Sequence, residues 1–141
     1  MPVDIRIADR LEIADLFARL GRLLDEARPD DAHTVYSEDV EVRSPRGREL
    51  HGLEAVTTYL RASQVVRERT QHVHGDVLVD LHADGRSATA SANQLVFFHP
   101  DGEALVLTSG LRVTCTAVRT PAGWRFGKAE IALAWTAAEQ V

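Results

Sequence analysis

The apolar residues of this chain change their period about halfway along it, and that change limits the folds open to it. In the first part Ile13, Leu16, Phe17, Leu20 and Leu24 recur at spacings of three and four, the period of an amphipathic helix. Glu12, Asp15, Arg19, Arg22 and Glu26 form a charged stripe at the same spacing, which is expected to face water. The pattern predicts a helix from Ile5 to about Ala27, stopped by Pro29. A short second helix is expected from Asp30 to about Tyr36, then a brief strand over Glu38–Arg43 around Val40 and Val42. Gly52 opens a third helix, with Leu53, Val56 and Leu60 on one face, running to about Arg67.

Beyond it the period becomes two. Val73, Val77, Val79 and Leu81 alternate with polar residues, and Ala83-Asp84-Gly85-Arg86 reads as a hairpin turn. Ser87–His99 makes the return strand and Pro100-Asp101-Gly102 the next turn. Ala104–Arg119 is long for one strand and predicts a bulge near Gly110; Thr120-Pro121-Ala122-Gly123 then turns into a last strand, Trp124 to about Trp135. Three helices before a four-strand antiparallel meander make an α+β domain, with helices on one face of a curved sheet. Such a sheet leaves a concave pocket suited to a small ligand.

The 141 residues suit a single domain spanning 1–141, with no repeat or linker. No apolar run approaches the roughly 18–20 residues that span a bilayer, so no membrane association is expected. With 16 basic against 21 acidic residues the net charge is -5. That balance repels a phosphate backbone, and nucleic acid is not an expected partner. A single cysteine, Cys115, and an N-terminus lacking the order of a secretory signal fit a reducing cytoplasm.

Two groups of residues carry candidate chemistry. Asp25 falls on the helical wheel with Ala14, Ala18 and Gly21, beside the apolar arc and away from the charged stripe. It either faces a pocket or simply ends the helix at the surface next to Arg28. In the run Thr70-Gln71-His72-Val73-His74-Gly75, His72 and His74 share a strand face opposite Val73, and Gly75-Asp76 is a natural bulge. A pocket histidine paired with a carboxylate is a competent general acid or base; two polar residues on a solvated strand face are the plainer alternative. A metal held by His72 and His74 would need a third ligand. His99, Asp25 and Asp76 lack a recognisable spacing for it, so no metal is expected. Phe97, Phe98, Trp124, Phe126 and Trp135 suit either a pocket for a flat apolar molecule or the core. No G-x-S-x-G elbow or phosphate-binding glycine loop occurs.

From Ile5 to Trp135 the chain resembles the SnoaL-like polyketide cyclase and scytalone dehydratase branch of the nuclear transport factor 2-like superfamily. The resemblance is carried by the long helix ending Leu24-Asp25-Glu26 with Asp30-Asp31 beyond it, by Gly52, and by Thr70-Gln71-His72 at a strand start. The ending Gly110, Arg119, Gly123-Trp124-Arg125-Phe126 and Trp135 completes it. It implies a cone-shaped α+β barrel: a curved antiparallel sheet with three N-terminal helices enclosing a deep pocket. It also implies no cofactor, a small hydrophobic carbonyl compound as ligand, and a homodimer or higher homo-oligomer. The positions matching the family's acid–base pair are Asp25 and His72, the acid orienting the histidine.

Departures from the dehydratase pattern bear on the substrate. Asn93 stands where a second histidine would, Val113 or Thr114 where a pocket asparagine would, and Leu24 where a tyrosine precedes the acid. Asn93 is therefore expected as a hydrogen-bond donor to substrate or oxyanion, Tyr36 and Tyr59 as further pocket residues, and Phe97, Trp124 and Trp135 as pocket walls. The expected function is dehydration, cyclisation or isomerisation by an Asp–His pair. The alternative is a non-catalytic small-molecule-binding or dimerisation module of the same fold.

Overall fold

The computed structural model describes residues 3–65, 69–100 and 107–138. Helix α1 spans Val3–Asp25, a 3-10 helix Pro29–Thr34, strand β1 Tyr36–Arg43, β2 Glu49–His51 and helix α2 Leu53–Val65. Four long strands follow: β3 Arg69–Leu81, β4 Ser87–His99, β5 Leu107–Thr120 and β6 Gly123–Ala138. The meander and the α+β class are as expected, and the sheet gains two strands at one edge. Its order is β2-β1-β6-β5-β4-β3, antiparallel throughout except where β1 lies parallel to β6. The expected second helix is a single 3-10 segment, because Tyr36 already begins β1 and Val35 accepts a backbone hydrogen bond from Phe126 (2.8 Å). The Pro100–Gly102 turn and the C-terminal end of the third helix as drawn from sequence fall partly outside the described residues.

The periodic stripe of α1 is the one that is buried. Ile13, Leu16, Phe17, Leu20 and Leu23 pack against the sheet, while Glu12, Asp15, Arg19, Arg22 and Glu26 stay exposed. The inward residues of the strands complete the core: Ala88, Ala90 and Ala92 of β4, Val113, Cys115 and Ala117 of β5, and Trp124, Phe126 and Ala129 of β6. The small residues of β4 share this core with α1, whose main strand neighbour is β3. Among the described residues no helix is long and apolar enough to cross a membrane.

Bulges set which residues face inward. In β3 the register slips between Gly75, opposite Asn93, and Leu78, opposite Ser91, with Asp76 at φ 51. Left-handed backbone of this kind is tolerated by aspartate better than by most residues. The extra residue shifts the alternation by one. Thr70, His72 and His74 point inward before it, and Val77, Val79 and Leu81 point inward after it. The bulge therefore keeps Val77, Val79 and Leu81 on the same inner face as the two histidines, while Val73 and Leu78 lie outside. A second slip falls between Gly110 and Leu111, as the length of that strand predicted; the extra residue is Ala134 on β6.

Candidate active site

Between α1 and α2 the concave face of the sheet encloses a cavity of about 1450 Å³. Its wall is largely apolar, formed by Leu20, Val56, Leu60, Val96, Val113 and Ile131. Polar and charged groups also line it, among them Asp25, Arg48, Thr70, His72, Gln94 and Ser109, and such a mixed lining suits a small-molecule site.

Asp25 is the last residue of α1, and its carboxylate meets the start of β3. His72 Nδ1 lies 2.6 Å from Asp25 Oδ1. The His72 backbone N–H donates to Oδ2 at 2.9 Å and to Oδ1 at 3.1 Å, and the Thr70 hydroxyl donates to Oδ1 at 3.0 Å. Three donor groups thus converge on one carboxylate, and all of them are set by the strand's alternation. The His72 side chain is 10% exposed and that of Asp25 22%, and both line the cavity. With Nδ1 donating to the carboxylate, Nε2 is the free nitrogen of the ring, and it has no hydrogen bond among the described residues. A carboxylate behind an imidazole fixes its tautomer and stabilises its cation.

His74 also points inward, but one step behind the cavity. Its ring packs against Phe17 (centroids 5.8 Å apart) and lies nearly parallel to His72 at 6.5 Å. Nε2 is 2.8 Å from Gln94 Oε1. Burial holds its pKa below the ordinary value, so this ring is neutral at pH 7. Among the described residues no group of His, Cys, Asp and Glu could hold a metal ion; Asp76, for one, bonds Asn93 on the opposite face.

The remaining expected site residues divide. Tyr36 and Tyr59 line the cavity, and burial raises the pKa of Tyr36 so that its hydroxyl stays protonated. Asn93 does not line it. The inward phase of β4 is even-numbered, so Asn93 faces outward, where it receives Arg112 (2.9 Å) and donates to Asp76 (2.9 Å). Phe97 is outward for the same reason. Trp124 is in the core, its indole N–H donating to Asp9 at 3.0 Å. Trp135 is 49% exposed and lies over Gly110, where a Cβ would come within 2.3 Å of the indole. Asn93, Phe97, Trp124 and Trp135 are therefore withdrawn as cavity residues. The inward polar residue in the alternating run of β4 is Gln94, which the sequence reading passed over; His99, at the end of the strand, also lines the cavity. The signal for Gln94 was present, since Ala88, Ala90, Ala92, Gln94 and Val96 alternate as one face.

A helix-capped cone over one cavity defines the nuclear transport factor 2-like class of fold. Within it, residues 6–130 match the SnoaL-like domain family, and the chain belongs to that family. A solved protein of Novosphingobium aromaticivorans, described as NTF2-like with a cystatin-like fold, is 30% identical. The match covers 90% of this chain and 82% of that one, with a TM-score of 0.72. A provisionally assigned scytalone dehydratase from the same organism superimposes with a TM-score of 0.86 at 18% identity, over 99% and 93% of the two chains. LinA matches with a TM-score of 0.84 at 14% identity, over 96% and 92%. At those lower identities the likeness is one of fold. No curated protein matches the sequence.

Proposed function

We propose that this protein is a cofactor-independent acid–base enzyme, a lyase or isomerase acting on a small hydrophobic carbonyl compound. One observation carries the reading: the 2.6 Å contact between Asp25 and His72, made at the wall of a largely apolar cavity. Neutral His72 takes a proton from the carbon next to the carbonyl at Nε2, and an enolate forms. Asp25 stabilises the resulting imidazolium and keeps Nε2 aimed at the cavity. The proton then leaves Nε2 for a departing hydroxyl, giving water and a conjugated alkene, or for another carbon, giving an isomer. The apolar wall strengthens each of these charge interactions by excluding water. The solved relative assigned provisionally as a scytalone dehydratase fits this chemistry.

The test needs no natural substrate. 2-Tetralone, a flat bicyclic ketone, is incubated with the protein in D₂O, and loss of its α-proton signals is followed by NMR. The wild-type protein should accelerate exchange, and His72→Gln and Asp25→Asn should abolish the acceleration while remaining folded. Undiminished exchange in a folded His72→Gln protein would overturn the mechanism.

A further inference from the structure

We infer that Gln94 is the cavity's binding site for a carbonyl or enolate oxygen, with its amide NH₂ turned toward the ligand by His74. This deepens the acid–base reading, since the oxygen bound there would belong to the carbonyl whose neighbouring proton His72 removes.

The argument begins with burial. Gln94 is 5% exposed and lines the cavity, and it is the one polar residue on the inward face of β4 between Ala88 and Val96. A buried primary amide has four hydrogen-bonding positions to satisfy, and leaving donors unmet inside a protein is costly. Oε1 is met by His74 Nε2 at 2.8 Å. For Nε2 of Gln94 no partner occurs among the described residues, and the cavity is the space before it.

The orientation of the amide follows from the tautomer of His74. Its other nitrogen, Nδ1, faces the backbone of α1 at Gly21, so closely that a Cβ there would lie 3.4 Å away. No acceptor hydrogen-bonds Nδ1 at that contact among the described residues. The atom that Nε2 meets is an oxygen, which can only accept, so the nitrogen at that contact is the donor. The proton of the neutral ring therefore sits on Nε2 and needs an acceptor, which among the described residues the amide oxygen provides. The amide oxygen is drawn to His74, and both N–H bonds are left for the cavity side. His74 acts here as a positioning residue.

The register places this donor correctly for the chemistry. Gln94 is directly opposite His74, and His72 is directly opposite Val96, so Gln94 and His72 are diagonal neighbours on one face. Such positions lie roughly 7–8 Å apart, which leaves room for a carbonyl oxygen at one group and the adjacent carbon at the other. The ligand class is a molecule presenting an oxygen that accepts only, such as a ketone or its enolate.

The experiment uses 4-nitrophenolate as a flat oxyanion probe with ¹⁵N-labelled full-length protein. Long-range ¹H–¹⁵N NMR should show His74 protonated at Nε2 and bare at Nδ1 at pH 8. Adding the probe should shift the Gln94 side-chain NH₂ pair. Gln94→Leu should weaken probe binding by about 10-fold or more, the usual scale for a hydrogen bond to a charged group. His74→Leu should weaken it less, and His74→Gln, whose amide can donate to Gln94 in the ring's place, should restore it. Protonation of His74 at Nδ1, equal binding by Gln94→Leu, or no binding by the wild type would each overturn the inference. Probe binding that needs Gln94, in a protein that exchanges no ketone protons, would refute the acid–base reading and leave the donor standing.

Discussion

Helix α1 carries two largely buried carboxylates, one near each end, and they have been put to opposite uses. Asp9 continues the buried stripe of Ile13, Leu16 and Leu20 one turn toward the N-terminus. Its oxygens are taken by Arg119 (2.7 Å) and by the Trp124 indole (3.0 Å), and Arg119 stacks over that indole at 4.8 Å. Asp25 accepts from three donor groups where Asp9 accepts from two, and one of the three is an imidazole with the cavity beside it. A guanidinium does not titrate in the physiological range, whereas an imidazole does. Carboxylates held by several donors thus make a clamp at one end and, on the proposed reading, a proton-transfer pair at the other. What separates them in kind is the titratable partner and the access to open space.

Matched substitutions test that division most severely. Asp25→Asn should lower ketone exchange by about 10²–10⁴-fold, the usual worth of a positioned acid–base group, with the variant folded by circular dichroism. Asp9→Asn should leave exchange close to wild type. Comparable losses of exchange in both folded variants would break the comparison, because Asp9 would then matter to the chemistry.

In stability the order reverses for Asp9. Replacing it with Asn leaves an acceptor for the indole but removes the charge that holds Arg119. The cost should be about 1–3 kcal/mol, read as a lower urea midpoint with an unchanged slope. A variant as stable as wild type would show that the clamp is ornamental.

How far these sites could be read from sequence depends on what each one needed. Asp25 and His72 were recoverable because each sits at a definite phase of a regular element, and a family resemblance joined them across 47 positions. The bulge at Gly75-Asp76 was recoverable from its residue types. Asn93 was misplaced because resemblance outweighed phase: a shift of one residue on a strand reverses the face, and the alternation of β4 already favoured Gln94. The parallel pairing of β1 with β6 had no local signal, since it joins segments that turn chemistry does not link. Asp9 itself lay in the periodic stripe, but its partners Arg119 and Trp124 stand more than a hundred residues away. Nothing short of the fold could pair them.

The histidine end should also make the fold sensitive to pH in a way that the arginine end does not. His74 has a lowered pKa, chiefly from burial; the Gln94 bond and Asp25 oppose that shift and His72 adds to it. In the folded state it takes up its proton at a lower pH than in the unfolded chain, where that happens below about pH 6.5. The unfolded state then binds more protons, so His74's contribution is fully present above that pH and is lost as pH falls. Urea midpoints measured from about pH 7 to 5 should fall with pH in the wild type, and less steeply in His74→Leu. An equal slope in both proteins would place the sensitivity elsewhere.

The smallest expected effect asks what the clamp requires of its cation. Arg119→Lys keeps the positive charge and much of the length of the side chain. It loses the planar fork, which donates to Asp9 from one nitrogen and to the Gly85 carbonyl from Nε (3.1 Å) while stacking on Trp124. An ammonium can satisfy Asp9 but cannot reproduce that combination. The Arg119 side chain is 40% exposed, so water screens the charge term, and the loss should be about 1 kcal/mol or less. If charge alone mattered, Arg119→Lys would match wild type and Arg119→Met would carry the whole cost. If the fork and the stack matter, Lys should fall between the two, with a change in Trp124 fluorescence that neither Asp25→Asn nor His72→Gln produces. That ordering separates a clamp built from geometry from one built from charge; at the other end of α1 the proposed acid–base role allows no such freedom, because under it only a group able to take and return a proton could replace His72.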